Sequence, residues 1–325
     1  MFKIALHMTY QRLKLSLSLV FVVVLQTYAQ QHSDHTMATQ QRYINEFKTK
    51  APLVLVDIGD TKLATRHYQG TGTPLLMIHG TLEDHHSLIA LAALLAKQIP
   101  NQIILFDLRG HSASVLSNHT NGSIVQDAND AAKLIKKLGY ASAHVLGHSY
   151  GANITIKLTN THPNLVDNLF LYEPPAFGLL MDNPKYRAGV KKAGQIIAQT
   201  KTAFEQGAVE QGVKLFTEHI AFGMGSWNKI LDKRARSVMT LNYPTFLDQL
   251  QDQQRFHINI AKLNQHQGKV VLVYGNQSLP LFKASIQEVA QILNSEKHFL
   301  IKGAGHEGVF TQPSQLATKV AESLR

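Results

Sequence analysis

The sequence predicts an α/β fold: a mostly parallel, eight-stranded sheet flanked by helices, with a helical cap inserted after the sixth strand. Three observations carry this reading. Short, wholly apolar runs such as Leu75–Ile78 and Ile103–Phe106 suit strands buried on both faces, as parallel sheets require. These runs alternate with helical stretches, and a strand–helix–strand unit brings the chain back parallel to its start. Between residues 176 and 267 the alternation stops and the pattern is helical throughout.

Residues 1–29 read as a secretory leader. Lys3, Arg12 and Lys14 precede an apolar run over 15–25, and Thr27-Tyr28-Ala29 offers a small-x-small cleavage site. At 11 residues the run falls short of the ~20 that a spanning helix needs. A secreted or periplasmic protein is expected, with no stable membrane span after cleavage. A polar segment, 30–50, then leads into the first part of the core, 51–175.

Within that part, residues 53–56 and 61–68, separated by Gly59-Asp60, predict an antiparallel hairpin. The run 74–78 ends at His79-Gly80. Residues 86–99, rich in Leu and Ala, predict a helix closed by Pro100, and strand 103–106 ends at Asp107-Leu108-Arg109-Gly110. Over 123–138, Ile124, Ala128, Ala131, Leu134 and Ile135 share one broad helical face, and Gly139 stops the helix. A strand over 143–146, a helix over 152–159 and a strand over 169–172 complete this part, which closes on Glu173-Pro174-Pro175.

The cap, 176–267, is expected to form helices over 185–201, 203–221, 227–239 and 243–250. Its Phe204, Phe216, Phe222, Trp227 and Phe246 either line a substrate cavity or bury the cap against the core. The second core part, 268–325, brings a strand at 269–274, a helix at 284–293, a strand at 297–301, the turn Gly303-Ala304-Gly305-His306 and a closing helix from Pro313.

Composition narrows the chemistry. The 325 residues are 44% hydrophobic and include no cysteine, which excludes disulfides, a cysteine nucleophile and thiolate metal sites. The formal charge of +10 falls to +7 without residues 1–29, which carry three basic and no acidic side chains. The densest basic cluster, Lys229, Lys233, Arg234 and Arg236, reads as a solvated helix face, and no aromatic interleaving supports nucleic-acid binding. Neither G-x-G-x-x-G nor a P-loop follows a strand, and no His/Asp/Glu cluster shows metal spacing. No cofactor is expected. A small molecule is the expected partner, and the oligomeric state has no signature here.

Gly147-His148-Ser149-Tyr150-Gly151 is the G-x-S-x-G pattern, which lifts a serine hydroxyl above a sheet on a strained strand-to-helix turn. Ligands of open parallel sheets sit at the strands' carboxyl ends. His79-Gly80, Asp107, Ser149 and Glu173 all fall at such ends.

Four motifs in order, Ile78-His79-Gly80-Thr81, Asp107-Leu108-Arg109-Gly110-His111, Gly147-His148-Ser149-Tyr150-Gly151 and Gly303-Ala304-Gly305-His306, give the chain a resemblance to the α/β-hydrolase family over roughly 53–325. The resemblance implies Ser149 as nucleophile, His306 as its general base and the helical cap as a lid. It also implies an oxyanion hole from the N–H groups of Tyr150 and Thr81. Asp107 and Arg109 would brace their turn, and Ser112 stands where the family often has a glycine. His148 is expected to pack.

The acid behind the histidine departs from the family pattern. Members commonly carry an aspartate after the seventh strand, where this chain has Gly275-Asn276-Gln277-Ser278. Some place the acid after the sixth strand, and there stands Glu173; Asn276 or Asp248 are the alternatives for orienting His306. The expected activity is acyl transfer to water from a small to medium carboxylic ester. Cleavage of a C–C bond, perhydrolysis, or ligand binding without catalysis on the same fold are the alternatives. Dehalogenase and epoxide-hydrolase chemistry is disfavoured, because those members use an aspartate at the elbow.

Overall fold

The apolar runs form one eight-stranded sheet: β1 (Leu53–Asp57), β2 (Lys62–Tyr68), β3 (Leu75–Ile78), β4 (Ile103–Phe106), β5 (Ala143–His148), β6 (Val166–Tyr172), β7 (Val270–Gly275) and β8 (His298–Ile301), in the order β1-β2-β4-β3-β5-β6-β7-β8. The computed structural model describes residues 37–114, 122–293 and 298–325, so the expected leader lies outside the described residues. Two compact units are present, Met1–Asn45 and Glu46–Arg325. In the first, residues 37–45 are described and helical. The second holds the sheet.

β1 pairs antiparallel with β2, the expected hairpin, and β2 pairs antiparallel with β4. All later pairings are parallel. β3 lies between β4 and β5, with Leu76 opposite Val145 and Met77 opposite Leu146, and all four of its residues are buried. Helices α1 (Ile89–Leu95), α2 (Ile124–Lys137), α3 (Tyr150–Thr161), α4 (Arg187–Glu205), α5 (Val209–Phe216), α6 (Lys233–Leu241), α7 (Tyr243–Gln251), α8 (Pro280–Ile292) and α9 (Pro313–Leu324) complete the frame.

The periodic face of α2 explains its place. Ile124, Leu134 and Ile135 are fully buried in one cluster with Leu76 and Val145 of the sheet and Ile154 and Leu158 of α3. Each such side chain contributes roughly 1.5–3 kcal/mol by leaving water. Ser123 starts the helix by accepting the Gln126 N–H at 3.2 Å, an N-cap. On the opposite side α1 packs against α9.

Several helices differ from the sequence expectation, each for a local reason. Residues 86–99 do not form one helix: a 3₁₀ turn, His85–Leu88, precedes α1, started by Asp84, whose side chain accepts the His86 N–H at 3.0 Å. The expected helix over 203–221 is interrupted at Gly207, which adopts φ 77°, so α4 ends at Glu205 and α5 runs into a π-helical turn, Thr217–Ala221. The expected helix over 227–239 splits at Asp232, which caps α6 by accepting the Ala235 N–H at 2.7 Å. α8 starts at Pro280 rather than 284, with proline where an N–H is not needed.

The helices between β6 and β7 have their own apolar cluster, in which Phe204, Val213, Trp227, Met239 and Phe246 pack around Leu82. Of the basic cluster, Arg234 pairs with Asp84 at 2.6 Å and Arg236 lies over the Trp227 ring at 5.6 Å.

Candidate active site

β5 ends at His148 and α3 begins at Tyr150, leaving Ser149 alone to make the turn at φ 55°, ψ −123°. An L-residue in this left-handed region is strained by about 1–3 kcal/mol and persists only where its surroundings hold it. Here the Ser149 N–H donates to the Tyr172 carbonyl at 2.9 Å and the Ala152 N–H to the Ser149 carbonyl at 2.8 Å. The two glycines are steric necessities. A methyl group at Gly147 would overlap the Gly151 carbonyl, and one at Gly151 would overlap the Ile78 carbonyl. The Tyr150 N–H is the first of α3 and has no intrahelical acceptor.

Glu173, directly after β6, adopts φ 47° and is fully buried. Its Oε2 accepts from His306 Nδ1 at 3.0 Å, which leaves Nε2 as the lone-pair nitrogen. Its Oε1 accepts the Gly275 N–H at 2.8 Å and the Ser278 hydroxyl. The loop after β7 thus lacks a carboxylate but directs two donors onto one. Among the described residues neither alternative for orienting His306 bonds to it: Asn276 accepts the Gly303 N–H at 2.8 Å, and Asp248 lies beside Gly122.

His306 and Ser149 line one cavity of about 260 Å³, together with Thr81, Phe222 and Phe282. The Phe282 ring stacks on the imidazole at 3.7 Å between centroids. Burial pushes His306 below the ordinary imidazole range; the Glu173 hydrogen bond resists this and the charge of His148 adds to it. No hydrogen bond joins Ser149 Oγ to His306 among the described residues. Such looseness is common where a substrate completes the alignment.

His148, expected to pack, is instead a polar bridge. Its Nε2 faces the His306 carbonyl at 2.8 Å and its Nδ1 faces Glu83 Oε2 at 3.2 Å. Both partners are acceptors, so both nitrogens must carry hydrogen and the ring is an imidazolium. Burial opposes that charge, but the Glu83 carboxylate outweighs it and holds His148 above the usual range. Burial likewise opposes ionisation of Glu83, yet His148 and the Gly80 N–H, donated at 2.9 Å, hold it down to about 2.

The other residues singled out in the sequence have structural partners. Thr81 lines the cavity and its hydroxyl donates to Gln249 Oε1 at 2.9 Å. Asp107 accepts the His85 N–H at 2.8 Å and Arg109 forks onto Asp130 at 2.7 and 2.8 Å. Ser112 takes the left-handed backbone of a glycine, at φ 46°, and donates its N–H to Asn242 at 2.8 Å.

Beneath the elbow, Asp127 accepts the Tyr150 hydroxyl at 3.0 Å, and burial is the main cause pushing it up to about 7. An acid whose folded-state pKa is raised binds its proton more tightly when folded, so stability falls as pH rises from the unfolded value of ~4 through ~7. Asp127→Asn, which keeps an acceptor for Tyr150, is expected to stabilise the protein by a few kcal/mol above pH ~8 and by little below pH ~4. Denaturant midpoints across that range check it; a variant equally or less stable at high pH would show that Asp127 is readily ionised.

Sequence reasoning missed Glu83, Ser278, Asp127 and Phe282. The signal for the first two was spacing: each stands three residues beyond a strand-end glycine, Gly80 or Gly275. It also missed that Asp84, His85 and His86 bring ligand-type atoms within 4.8 Å of one another. These side chains are already engaged, His85 with Asp107 at 2.6 Å and Asp84 with Arg234 at 2.6 Å.

A family model described as alpha/beta hydrolase fold matches residues 73–313. An uncharacterized hydrolase, YraK of Bacillus subtilis (strain 168), is 33% identical over 141 residues, 42% of this chain and 49% of that protein. A fluoroacetate dehalogenase of Burkholderia sp. is 31% identical over 119 residues, 35% of this chain and 38% of that protein. The chain spans less than half the length of either relative. Among solved structures, Est816, an N-acyl homoserine lactone degrading enzyme, superposes with a TM-score of 0.63 at 18% identity, covering 83% of this chain and 99% of that one.

Proposed function

Because the chain belongs to the alpha/beta hydrolase fold family, we propose that it is a serine hydrolase that cleaves small to medium carboxylic esters through an acyl-enzyme on Ser149. One observation carries the reading. Ser149 stands on a strained strand-to-helix turn and lines the same cavity as His306, whose Nδ1 is held by Glu173. A hydroxyl at the elbow, rather than a carboxylate, supports acyl transfer over the halide displacement named for the Burkholderia relative.

In the proposed sequence His306 Nε2 takes the Ser149 proton as Oγ attacks the ester carbonyl. The Tyr150 and Thr81 N–H groups stabilise the oxyanion, and removing one such donor typically costs ~3–4 kcal/mol of barrier. The tetrahedral adduct collapses, His306 returns the proton to the departing alcohol, and water repeats the cycle to release the acid. The helices between β6 and β7 act as the lid over the acyl chain.

The purified protein is expected to react with a fluorophosphonate and to hydrolyse a chain-length series of activated esters. No labelling and no Ser149-dependent turnover would remove the reading. Because His306 must be neutral to act as base, and burial holds its pKa below the usual imidazole value, kcat/KM should fall only as pH drops through a point below ~6.5. A limb centred above that value in a pH–rate profile would contradict the assignment.

A further inference from the structure

The cavity walls are largely apolar, built from residues such as Phe177, Val190, Ile197, Ile220 and Leu281. Most polar groups on them are spoken for. Thr81 bonds Gln249, and Glu83 bonds His148 and Gly80. Gln249, Arg255 and Asn153 line it as well.

Arg255 donates through Nη1 to the Gln249 carbonyl at the end of α7, and its guanidinium lies 4.4 Å from the centroid of the Phe256 ring. No ion pair involves it among the described residues. The charge of Asp252 acts on Arg255 without forming an ion pair with it; its oxygens accept the Ile124 N–H at 2.8 Å and the Gln254 N–H at 2.9 Å, and Asp127 accepts from Tyr150. Asn153, one helical turn beyond Ser149, is 2% exposed. Its Nδ2 donates to the Pro175 carbonyl at 3.2 Å, and its Oδ1 is buried with no partner. A guanidinium that lines an apolar cavity with no carboxylate within ion-pair distance, the charge of Asp252 reaching it only from farther away, fits an anionic group on a ligand rather than a plain acyl chain.

We propose that Arg255 is a specificity-determining residue that takes a carboxylate on the substrate, so that the preferred substrates are half-esters of short dicarboxylic acids. The inference rests on the hydrolase reading of Ser149 and narrows it to an anionic ester class.

Monomethyl glutarate and methyl pentanoate make a matched pair of probes, alike in chain length and differing in a terminal carboxylate against a methyl group. The parent protein is expected to favour the glutarate half-ester in kcat/KM, and Arg255→Gln to lose about tenfold to a hundredfold on it while staying within about threefold on methyl pentanoate. Arg255→Lys, which keeps the charge but not the fork, is expected to recover part of the loss. In parallel, calorimetry of glutarate with Ser149→Ala should show binding that disappears when Arg255→Gln is added. Ser149-dependent hydrolysis of methyl pentanoate with no preference for the half-ester, or equal losses on both esters, overturns the assignment of Arg255 and leaves the hydrolase reading standing. Glutarate binding that depends on Arg255 in a protein that hydrolyses neither ester does the reverse. Failure of both turnover and binding removes both.

Discussion

Replacing Ser149 by alanine is expected to lower kcat on an activated ester by roughly 10⁴–10⁶-fold, the range seen when a nucleophile acting with a paired base is removed. The expectation follows from the surroundings of the hydroxyl. His306 has one lone-pair nitrogen, and Nδ1 is turned away to Glu173, so without Oγ the cavity has a base but nothing for it to activate. Residual turnover should reflect the amides of Tyr150 and Thr81 acting on water attack alone. Alanine lacks the hydroxyl but keeps the Cβ, so the strain at φ 55° is unchanged and the melting temperature should stay close to that of the parent. Fluorophosphonate labelling should vanish along with turnover. Retention of more than about a hundredth of the parent kcat by a folded variant would move the chemistry elsewhere.

Glu173→Gln is expected to cost kcat about 10⁴-fold, with a smaller change in KM, because it traps the imidazole in the wrong tautomer. Glu173 Oε1 receives two donors, the Gly275 N–H and the Ser278 hydroxyl. In a glutamine the carbonyl oxygen must stay on those donors, which leaves the amide NH₂ facing His306 Nδ1. Nδ1 then accepts, the ring proton moves to Nε2, and the nitrogen nearest the reaction can no longer take a proton. Glu173→Ala would combine this loss with cavity and unpaired-donor effects, so the isosteric change is the cleaner test. Activity within a few-fold of the parent would pass the orienting role to another group. A stability measurement separates the two effects, since the glutamine keeps all three hydrogen bonds and only reverses the one to His306.

The sequence made the sheet readable because each buried strand is a short apolar run ended by a glycine, an acid or a proline, and the elbow readable because two glycines frame its serine. The acid was harder. Glu173 could be placed at a strand end, but the donors that fix its carboxylate lie 102 and 105 residues away, at Gly275 and Ser278, and pairings of that separation leave no local pattern. The region between β6 and β7 was readable as helical but not in its breaks, which depend on one left-handed glycine, Gly207, and one capping side chain, Asp232. Its aromatic residues divide by position rather than type: Phe204 and Trp227 belong to the helical cluster and do not line the cavity, while Phe216, Phe222 and Phe246 pack in or against that cluster and also line the cavity. The role of His148 was hidden for another reason. A histidine beside the serine looks like packing until both of its acceptors are known, and one of them is the backbone of His306.

That bridge has a mechanical meaning. The carbonyl of His306, the His148 ring, the Glu83 carboxylate and the Gly80 N–H form an unbroken strap from the segment that carries His306 to the turn that carries Thr81. Two pieces of chain more than 200 residues apart in sequence are therefore clamped like the jaws of a vice, with a buried charge as the screw. Under the proposed mechanism, loosening it would let His306 and the Thr81 amide drift out of step, each still intact but no longer acting on the same substrate at the same moment.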